Sequence, residues 1–198
     1  MAAEYSTIYL ASGSPRRQEI LQQLGVTFQQ IANHFDETLL PGESPREYVS
    51  RVALGKAMSA LEGDEYQKQW PVLTADTTVV HNNEALGKPQ DLEHATELLQ
   101  RLSGNTHTVI SSVVIATPQQ HWQSTVETEV VFAPLDTQLI ERYCQSKEPL
   151  GKAGGYAIQG LGGSLVESIR GSYSNVVGLP IYQTRLLLED VGIQFALR

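Results

Sequence analysis

The stretch from residue 8 to residue 17 most constrains how this chain can fold. An apolar run over residues 8–11 is followed without a linker by S-G-S-P-R-R at residues 12–17. A short apolar run of this kind predicts a buried strand, and serine followed by proline is typical of a helix N-cap and first helical position. The sequence therefore predicts a strand that passes directly into a helix, which ends near Leu24 with Gly25 as its stop.

Arg16 and Arg17 fall in the first turn of this predicted helix, where the partial positive charge of a helix N-terminus disfavours cations. Two guanidinium groups, the hydroxyls of Ser12 and Ser14, and spare backbone N–H groups together suit the oxygens of a phosphate chain. We therefore expect these four residues to bind a polyanion. A basic pair on a solvated helix face is the alternative.

Strand and helix patterns alternate along the rest of the chain, which predicts an α/β fold with a mixed twisted sheet and flanking helices. With 198 residues, 41% of them hydrophobic, we expect one domain over residues 1–198, with two lobes about a cleft. Helices are predicted from Ser44, which has capping-box spacing to Glu47, to about Leu61, and over residues 91–102, 136–145 and 179–190. Strands are predicted at residues 28–31, 72–75, 108–116 and 122–132, with a hairpin formed by residues 77–80 and 84–86.

Composition excludes several classes of function. A formal net charge of −8 argues against a protein that binds nucleic acid by neutralising phosphates. The single cysteine, Cys144, rules out an internal disulfide and a multi-cysteine metal site. Residues 1–6 lack a signal pattern and no apolar run approaches the length of a membrane span, so we expect a cytoplasmic protein with no membrane partner. The sequence is compatible with a homodimer but does not specify one.

Two acidic positions are candidate metal ligands. Asp76 follows the apolar run 72–75, and open α/β sheets place ligand sites at strand ends; an Asx turn is its alternative role. Glu37, with Asp36 beside it, lies in a loop, where a solvated acidic pair is the alternative. Carboxylates from separate loops suit a hard cation, so we expect Mg²⁺ or Mn²⁺ at Glu37 and Asp76. The five histidines lack ligand spacing and are expected at the surface or in packing.

Two lysines and one glycine-rich segment complete the candidates. Lys56 lies in a predicted helix, where a solvated surface charge is the alternative to a binding role. Lys88 lies in a Gly-Lys-Pro turn, where the alternative is a residue that only links two elements. Residues 151–160 lack Walker A spacing, Leu165 breaks the dinucleotide fingerprint, and no G-x-S-x-G occurs. What remains is a flexible backbone that can approach a flat or charged ligand, with Gln159 offering a donor and an acceptor to a base edge. A loop without a ligand is the alternative.

Together these blocks resemble the Maf-like nucleoside triphosphate pyrophosphatases over nearly the whole chain. The resemblance implies a fold similar to that of the inosine triphosphatase group, an α/β architecture of two lobes with a deep cleft. The matching blocks are S-x-S-P-R-R at residues 12–17, Glu37, Lys56, A-D-T at 75–77, G-K-P at 87–89, S-G-x-x-H at 103–107, the glycine-rich block 151–160, and G-S-Y through G-L-P at 171–180.

The same resemblance implies a role for each candidate. Asp76 is the implied general base and Glu37 helps to bind the metal, while phosphates are held by Arg16, Arg17, Lys56 and Lys88. Asp-Thr at residues 76–77 and Ile-Gln-Gly at residues 158–160 look like the dTTP/UTP type, in which Arg17, Thr77 and Gln159 select the base.

One position departs from the family. Gly55 stands where family members often carry glutamate. A glycine inside a helix should loosen the helix near Lys56 by up to roughly 1 kcal/mol.

We therefore expect hydrolysis of dTTP or UTP, and of modified pyrimidine nucleotides as a further option, to the monophosphate and pyrophosphate. Asp76 would deprotonate or orient water for attack on the α-phosphorus, while metal and cations spread the charge on the leaving pyrophosphate. A nucleotide-binding regulator of cell division or septum formation is the alternative, in which binding rather than turnover is the output.

Overall fold

The computed structural model describes residues 5–197, in which strands and helices alternate as the sequence predicts. The strands are β1 (Ile8–Leu10), β2 (Phe28–Gln30), β3 (Val72–His81), β4 (Glu84–Leu86), β5 (Thr106–Ala116), β6 (His121–Phe132) and β7 (Val166–Arg170). The helices are α1 (Pro15–Gln23), α2 (Pro45–Glu62), α3 (Leu92–Leu102), α4 (Thr137–Gln145), α5 (Tyr173–Val177) and α6 (Ile181–Val191). Two short 3₁₀ turns cover Ala153–Gly155 and Leu161–Leu165.

The strands form one mixed sheet in the order β2-β1-β3-β5-β6-β7, with β4 paired to β3. β1 runs parallel to both β2 and β3, whereas β4 is antiparallel to β3 and β7 is antiparallel to β6. Parallel neighbours need crossover connections, and these contain α1 between β1 and β2 and α2 between β2 and β3. The predicted α/β fold with a mixed sheet and flanking helices is confirmed.

The chain divides into two compact units, in agreement with the two predicted lobes. Unit 1 contains the chain up to Asp76, then residues 111–126 and the chain from Gly178 onward. Unit 2 contains residues 77–110 and 127–177, so β3, β5 and β6 each contribute residues to both units. That residues 1–198 act as a single domain stays a prediction. No helix among residues 5–197 combines the length and apolar character that crossing a bilayer requires.

Each unit has its own aromatic centre. In unit 1, Tyr9 is fully buried, and its ring centroid lies 5.5 Å from that of Tyr66 and 5.2 Å from that of Trp70. In unit 2, the His107 ring packs edge-on against Phe132 and Tyr156, and His107 Nε2 lies 2.8 Å from the Tyr156 hydroxyl.

Burial lowers the pKa of His107 to about 4, so its ring is neutral at pH 7. The histidine of the S-G-x-x-H block is therefore a packing residue, as expected. Residues 5–197 contain no cluster of three or more His, Cys, Asp or Glu side chains able to hold a metal ion.

The structure corrects the prediction for β3. Residues 72–81 form one continuous strand rather than a strand that ends before Asp76 and a separate hairpin strand. The strand continues because its second half pairs with β4, with Val79 opposite Leu86. Asp76 therefore lies inside β3, and the argument that placed it at a strand end was wrong.

Two elements, β7 and α5, were not predicted. β7 is mostly exposed and pairs with β6, so its sequence lacks the apolar run of a buried strand. α5 has five residues, which is too short to show helical periodicity.

Candidate active site

The turn from β1 to α1 is organised around the hydroxyl of Ser12, which is buried. Its Oγ accepts hydrogen bonds from Ser14 N at 3.3 Å and from Arg17 Nη1 at 3.1 Å, and Gln30 donates to the Ser12 carbonyl at 3.1 Å. Ser14 is the N-cap of α1 as predicted, but its side chain makes no capping bond. The hydroxyl of Ser12 therefore orders the turn, while that of Ser14 does not cap the helix.

The two arginines of this turn differ in their surroundings. Arg17 donates through Nε to the Gly178 carbonyl at 2.9 Å, in addition to its bond to Ser12. Burial lowers the pKa of Arg17, whereas the nearby Asp76 carboxylate acts to raise it. Arg16 is half-buried, and its guanidinium makes no hydrogen bond with another residue among residues 5–197. Arg17 is thus built into the fold, whereas the guanidinium donors of Arg16 are used by no other residue among residues 5–197.

Lys56 joins the two candidate carboxylates. Its ammonium group lies 2.8 Å from Asp76 Oδ1 and 2.8 Å from Glu37 Oε1. Lys56 and Asp76 are both buried, whereas Glu37 reaches in from an exposed loop. The structure therefore brings together three residues that are far apart in sequence, and the alternative of a solvated charge at Lys56 is excluded.

Local packing explains how Lys56 reaches Asp76. Thr74, two residues before Asp76 on β3, donates its hydroxyl to the Ala53 carbonyl on α2 at 2.7 Å. Ala53 and Ala57 are fully buried against Val114 and Ala116 of β5, and Ala60 is buried beside Val72 of β3, so these small side chains let α2 lie close to the sheet. Lys56 lies on the same stretch of helix and extends along the strand to the carboxylate.

The acidic pair at residues 36–37 divides into two roles. Asp36 accepts bonds from both the backbone N–H and the hydroxyl of Thr38, at 2.9 and 2.7 Å, and these bonds lower its pKa. Arg51 donates to the Thr38 carbonyl at 3.0 Å and to both carboxylate oxygens of Glu43 at 2.6 and 2.8 Å. The loop is therefore held by Asp36 and Arg51, which leaves the side chain of Glu37 to face Lys56.

Gly55 has a packing role that its sequence position did not reveal. The ring of Phe35 lies directly against this glycine, so a Cβ atom at residue 55 would overlap the ring. Helix α2 nevertheless runs without a break from Pro45 to Glu62. The glycine therefore lets Phe35 pack against α2 two residues before Glu37 in the loop.

We expect Gly55→Ala to lower or leave unchanged the free energy of unfolding, although alanine is the better helix former. Alanine in a helix gains about 1 kcal/mol over glycine. Overpacking typically costs about 1–3 kcal/mol, and here the added methyl group must displace the Phe35 ring. Denaturant unfolding of Gly55→Ala, with and without Phe35→Ala, separates the gain in helix propensity from the cost of overpacking. In the Phe35→Ala background the clash is absent, so Gly55→Ala should raise the free energy of unfolding. A rise in the free energy of unfolding when Gly55→Ala is made in the wild-type chain would contradict the packing role.

Sequence reasoning missed Tyr48. It precedes Lys56 by eight residues on α2, which places both on one face of the helix. Burial and the nearby carboxylates of Asp76 and Glu37 raise the pKa of Tyr48 to about 12. The hydroxyl is therefore protonated at neutral pH, and helical spacing from Lys56 was the signal that could have found it.

The pair Glu37 and Asp76 fits the donor set of a small divalent cation. Both carboxylates converge on one ammonium group, so their oxygens lie near each other. Mg²⁺ and Mn²⁺ take one or two protein carboxylates and complete their shells with phosphate oxygens and water. Two convergent carboxylates are thus enough when the ligand itself carries phosphates.

The remaining predicted residues belong to unit 2. Thr77 follows Asp76 in β3 and is half-buried, whereas Lys88 and Gln159 are exposed in loops. Gly154 donates its N–H to the Gly87 carbonyl at 3.1 Å, so the Gly-Lys-Pro turn lies against the glycine-rich segment. Within unit 2 the turn that carries Lys88 and the glycine-rich segment are therefore neighbours.

Comparison with known families agrees with these blocks. The profile of the Maf-like proteins matches residues 7–191. The chain belongs to the Maf-like family. Two curated relatives, from Escherichia coli strain K12 and Shigella boydii serotype 4, are each 49% identical to this Maf-like chain over 185 residues, which is 93% of either chain. Both relatives are named dTTP/UTP pyrophosphatase.

Two solved structures resemble this Maf-like chain only distantly. Protein VC0702 from Vibrio cholerae is 11% identical, with a TM-score of 0.36 over 72% of this chain and 71% of that one. The Ham1 protein of Staphylococcus aureus is 17% identical, with a TM-score of 0.39 over 63% of this chain and 72% of that one. Superpositions this loose add nothing to the fold assignment.

Proposed function

We propose that this chain is a nucleoside triphosphate pyrophosphatase that hydrolyses dTTP and UTP to the nucleoside monophosphate and pyrophosphate. The curated relatives named for this activity support it, since they match 93% of the chain. The observation that carries the chemistry is the buried contact of Lys56 with Asp76, with Glu37 on the same ammonium group. Because Lys56 holds one oxygen of Asp76 in place, the carboxylate has a fixed orientation, which suits a group that positions water and takes its proton.

In the proposed reaction, Asp76 takes the proton of the attacking water. The water oxygen bonds to the α-phosphorus, and the bond from that phosphorus to the bridging oxygen breaks, so that pyrophosphate leaves with the bonding electrons. Lys56 fixes one oxygen of Asp76, which orients the carboxylate before the substrate arrives.

Cationic side chains stabilise the charge on the phosphates in this proposal. Arg16 supplies guanidinium donors that no other described residue uses, and Arg17 holds the turn from which Arg16 projects. Lys88 adds a further cation, a role that rests on the resemblance to the Maf-like family.

A divalent cation held by Glu37 and Asp76 would neutralise phosphate charge and polarise the phosphoryl group when bound. We propose that this cation is Mg²⁺ or Mn²⁺ and that turnover requires it.

Pyrimidine selection is assigned to Gln159 and Thr77, with Arg17. A side-chain amide can pair with the carbonyl and N3 edge of a pyrimidine. A site built in this way penalises bases that leave its polar groups unpaired.

We expect Gln159→Ala to narrow the gap in kcat/KM between pyrimidine and purine triphosphates, chiefly through loss of activity on dTTP and UTP. The physical reason is the loss of the amide that pairs with the base edge. Steady-state kinetics over a panel of four nucleotides measures the change, and Gln100→Ala, an exposed glutamine on α3, is the matched control. An unchanged ranking and magnitude would remove Gln159 from base recognition.

The deciding experiment for the function is product analysis. The protein is mixed with dTTP, UTP, dATP or GTP and Mg²⁺ or Mn²⁺, and the products are separated by ion exchange. We expect monophosphate and pyrophosphate in equal amounts, fastest from dTTP and UTP, and loss of turnover with a chelator. Nucleotide binding without turnover would instead favour the regulator of cell division, and release of inorganic phosphate with a diphosphate would contradict the proposed bond cleavage.

A further inference from the structure

Gln159 lies in a turn whose backbone is held from one side by two side chains. The N–H of Gly160 bonds to the Ala157 carbonyl at 3.1 Å, so Ile158 and Gln159 form the centre of the turn. Ala157 N donates to the hydroxyl of Tyr143 at 3.2 Å, where the turn begins. The turn is therefore tied at its start to α4, which carries Tyr143.

The end of the turn is tied to Glu148. Its Oε2 accepts from Leu161 N at 3.0 Å, and its Oε1 accepts from Gly162 N at 2.8 Å and from the hydroxyl of Tyr143 at 2.9 Å. Leu161 and Gly162 are the first residues of the 3₁₀ turn Leu161–Leu165, so Glu148 supplies the cap that Gly160 does not. We call Tyr143 and Glu148 the clamp.

Two glycines face this clamp and a third faces the turn itself, which explains the glycine pattern after Gln159. A Cβ atom at Gly160 would overlap Glu148 Oε2, and one at Gly162 would lie 2.6 Å from the Tyr143 hydroxyl. A Cβ atom at Gly163 would overlap the Ile158 carbonyl oxygen. These glycines therefore allow side chains and backbone of the same unit to pack closely against residues 160–163. The sequence instead predicted that the glycines allow a ligand to approach the backbone.

The carboxylate form of Glu148 is the one that fits. Burial acts to raise the pKa of Glu148, but the N–H groups of Gly162 and Leu161 and the Tyr143 hydroxyl outweigh it, and the pKa lies below its usual range. Both oxygens are used as acceptors. A glutamine at this position would turn an NH₂ group toward one of the backbone N–H donors.

We infer that Glu148 is a positioning residue for nucleotide selection, which acts by fixing the direction in which Gln159 presents its amide. This inference rests on the proposed function, in which Gln159 pairs with the base. Gln159 itself is exposed and its amide bonds to no other residue in the range 5–197, so the fixed backbone of residues 157–162 sets where the amide can reach. Misplacement of a recognition group by about 1 Å can cost about 100-fold in rate.

The test compares Glu148→Gln with Glu141→Gln, the same change at an exposed residue of α4. In the full-length chain, we expect Glu148→Gln to lower the pyrimidine-to-purine ratio of kcat/KM by roughly 10- to 100-fold, mainly through activity on dTTP and UTP. Glu141→Gln should keep the wild-type ratio. Equal loss on all nucleotides, or a lower melting temperature with an unchanged ratio, would show a structural role only and overturn the inference.

A double-mutant cycle separates positioning from an independent effect. If Glu148 acts through Gln159, Glu148→Gln should change the ratio no further in a Gln159→Ala background. Effects that multiply would overturn the inference. Should Glu148→Gln fail to fold, Tyr143→Phe removes one hydroxyl of the clamp while keeping the ring, and the same outcomes apply to it. If the wild-type protein releases no pyrophosphate from dTTP or UTP, the proposed function itself is refuted. That result is distinct from a failure of the Glu148 inference, which is measured on variants of an active protein.

Discussion

Asp76→Asn is expected to lower kcat by about 10²- to 10⁴-fold, the usual contribution of a positioned general base. Asparagine keeps the size of the side chain and an oxygen for Lys56, but it cannot accept a proton from water. Nucleotide affinity should change little, so the fall should be in kcat rather than in KM. Single-turnover kinetics with dTTP, together with equilibrium binding of the nucleotide, measures both.

Asp64→Asn is the matched control, because Asp64 is an exposed carboxylate of the same unit. Thermal melting of both variants is needed, since Asp76 is one partner of a buried ion pair and its loss affects folding. Turnover of Asp76→Asn within a few-fold of the wild type would remove Asp76 from the proposed mechanism.

Replacement by alanine should change the folding stability differently at the two adjacent arginines. Arg17→Ala removes the bonds to the Gly178 carbonyl and the Ser12 hydroxyl, and a hydrogen bond that involves a charged group contributes about 1.5–3 kcal/mol. Arg16→Ala removes no such bond and relieves a cation at the N-terminus of α1, which should leave stability unchanged or raise it by about 0.3–1 kcal/mol. Both variants should lower kcat/KM for dTTP.

Denaturant unfolding and steady-state kinetics on the same preparations test this contrast. Arg17→Lys is the informative third variant, because lysine keeps the charge but lacks the fork that bonds two partners at once. Equal stability of the two alanine variants would mean that the bonds of Arg17 contribute little. A loss of stability with normal kinetics would assign both residues a structural role.

Local signals were sufficient for most helix boundaries. Ser44 and Glu47 form the predicted capping box, with Glu47 N to Ser44 Oγ at 3.3 Å and Ser44 N to Glu47 Oε2 at 2.9 Å. Asp91 and Asp136 likewise cap α3 and α4 through the N–H groups of the third following residues. Such contacts join residues three apart, so the sequence shows them directly.

Contacts between distant segments account for what the sequence could not show. The bond between Arg17 and Gly178 spans 161 residues and changes the expected effect of Arg17→Ala on stability. At the β1–α1 turn, helix electrostatics alone predicts that both arginines destabilise the fold. The bond to the Gly178 carbonyl makes the expected effects of the two arginines on stability unequal. The sequence could identify Asp76, Glu37 and Lys56 as separate candidates. That both carboxylates contact the ammonium group of Lys56 depends on how α2 packs on β3, which the sequence does not show.

The contact of Phe35 with Gly55 also predicts how these two positions vary across relatives. A chain with glutamate at the position of Gly55 cannot keep an aromatic ring where Phe35 lies, because the two would occupy the same space. Residue 35 should therefore become smaller, or its loop should follow another path, whenever residue 55 gains a side chain. We therefore expect a glutamate at position 55 to be accompanied by a change at position 35, and transfer of either residue alone into this chain should be poorly tolerated.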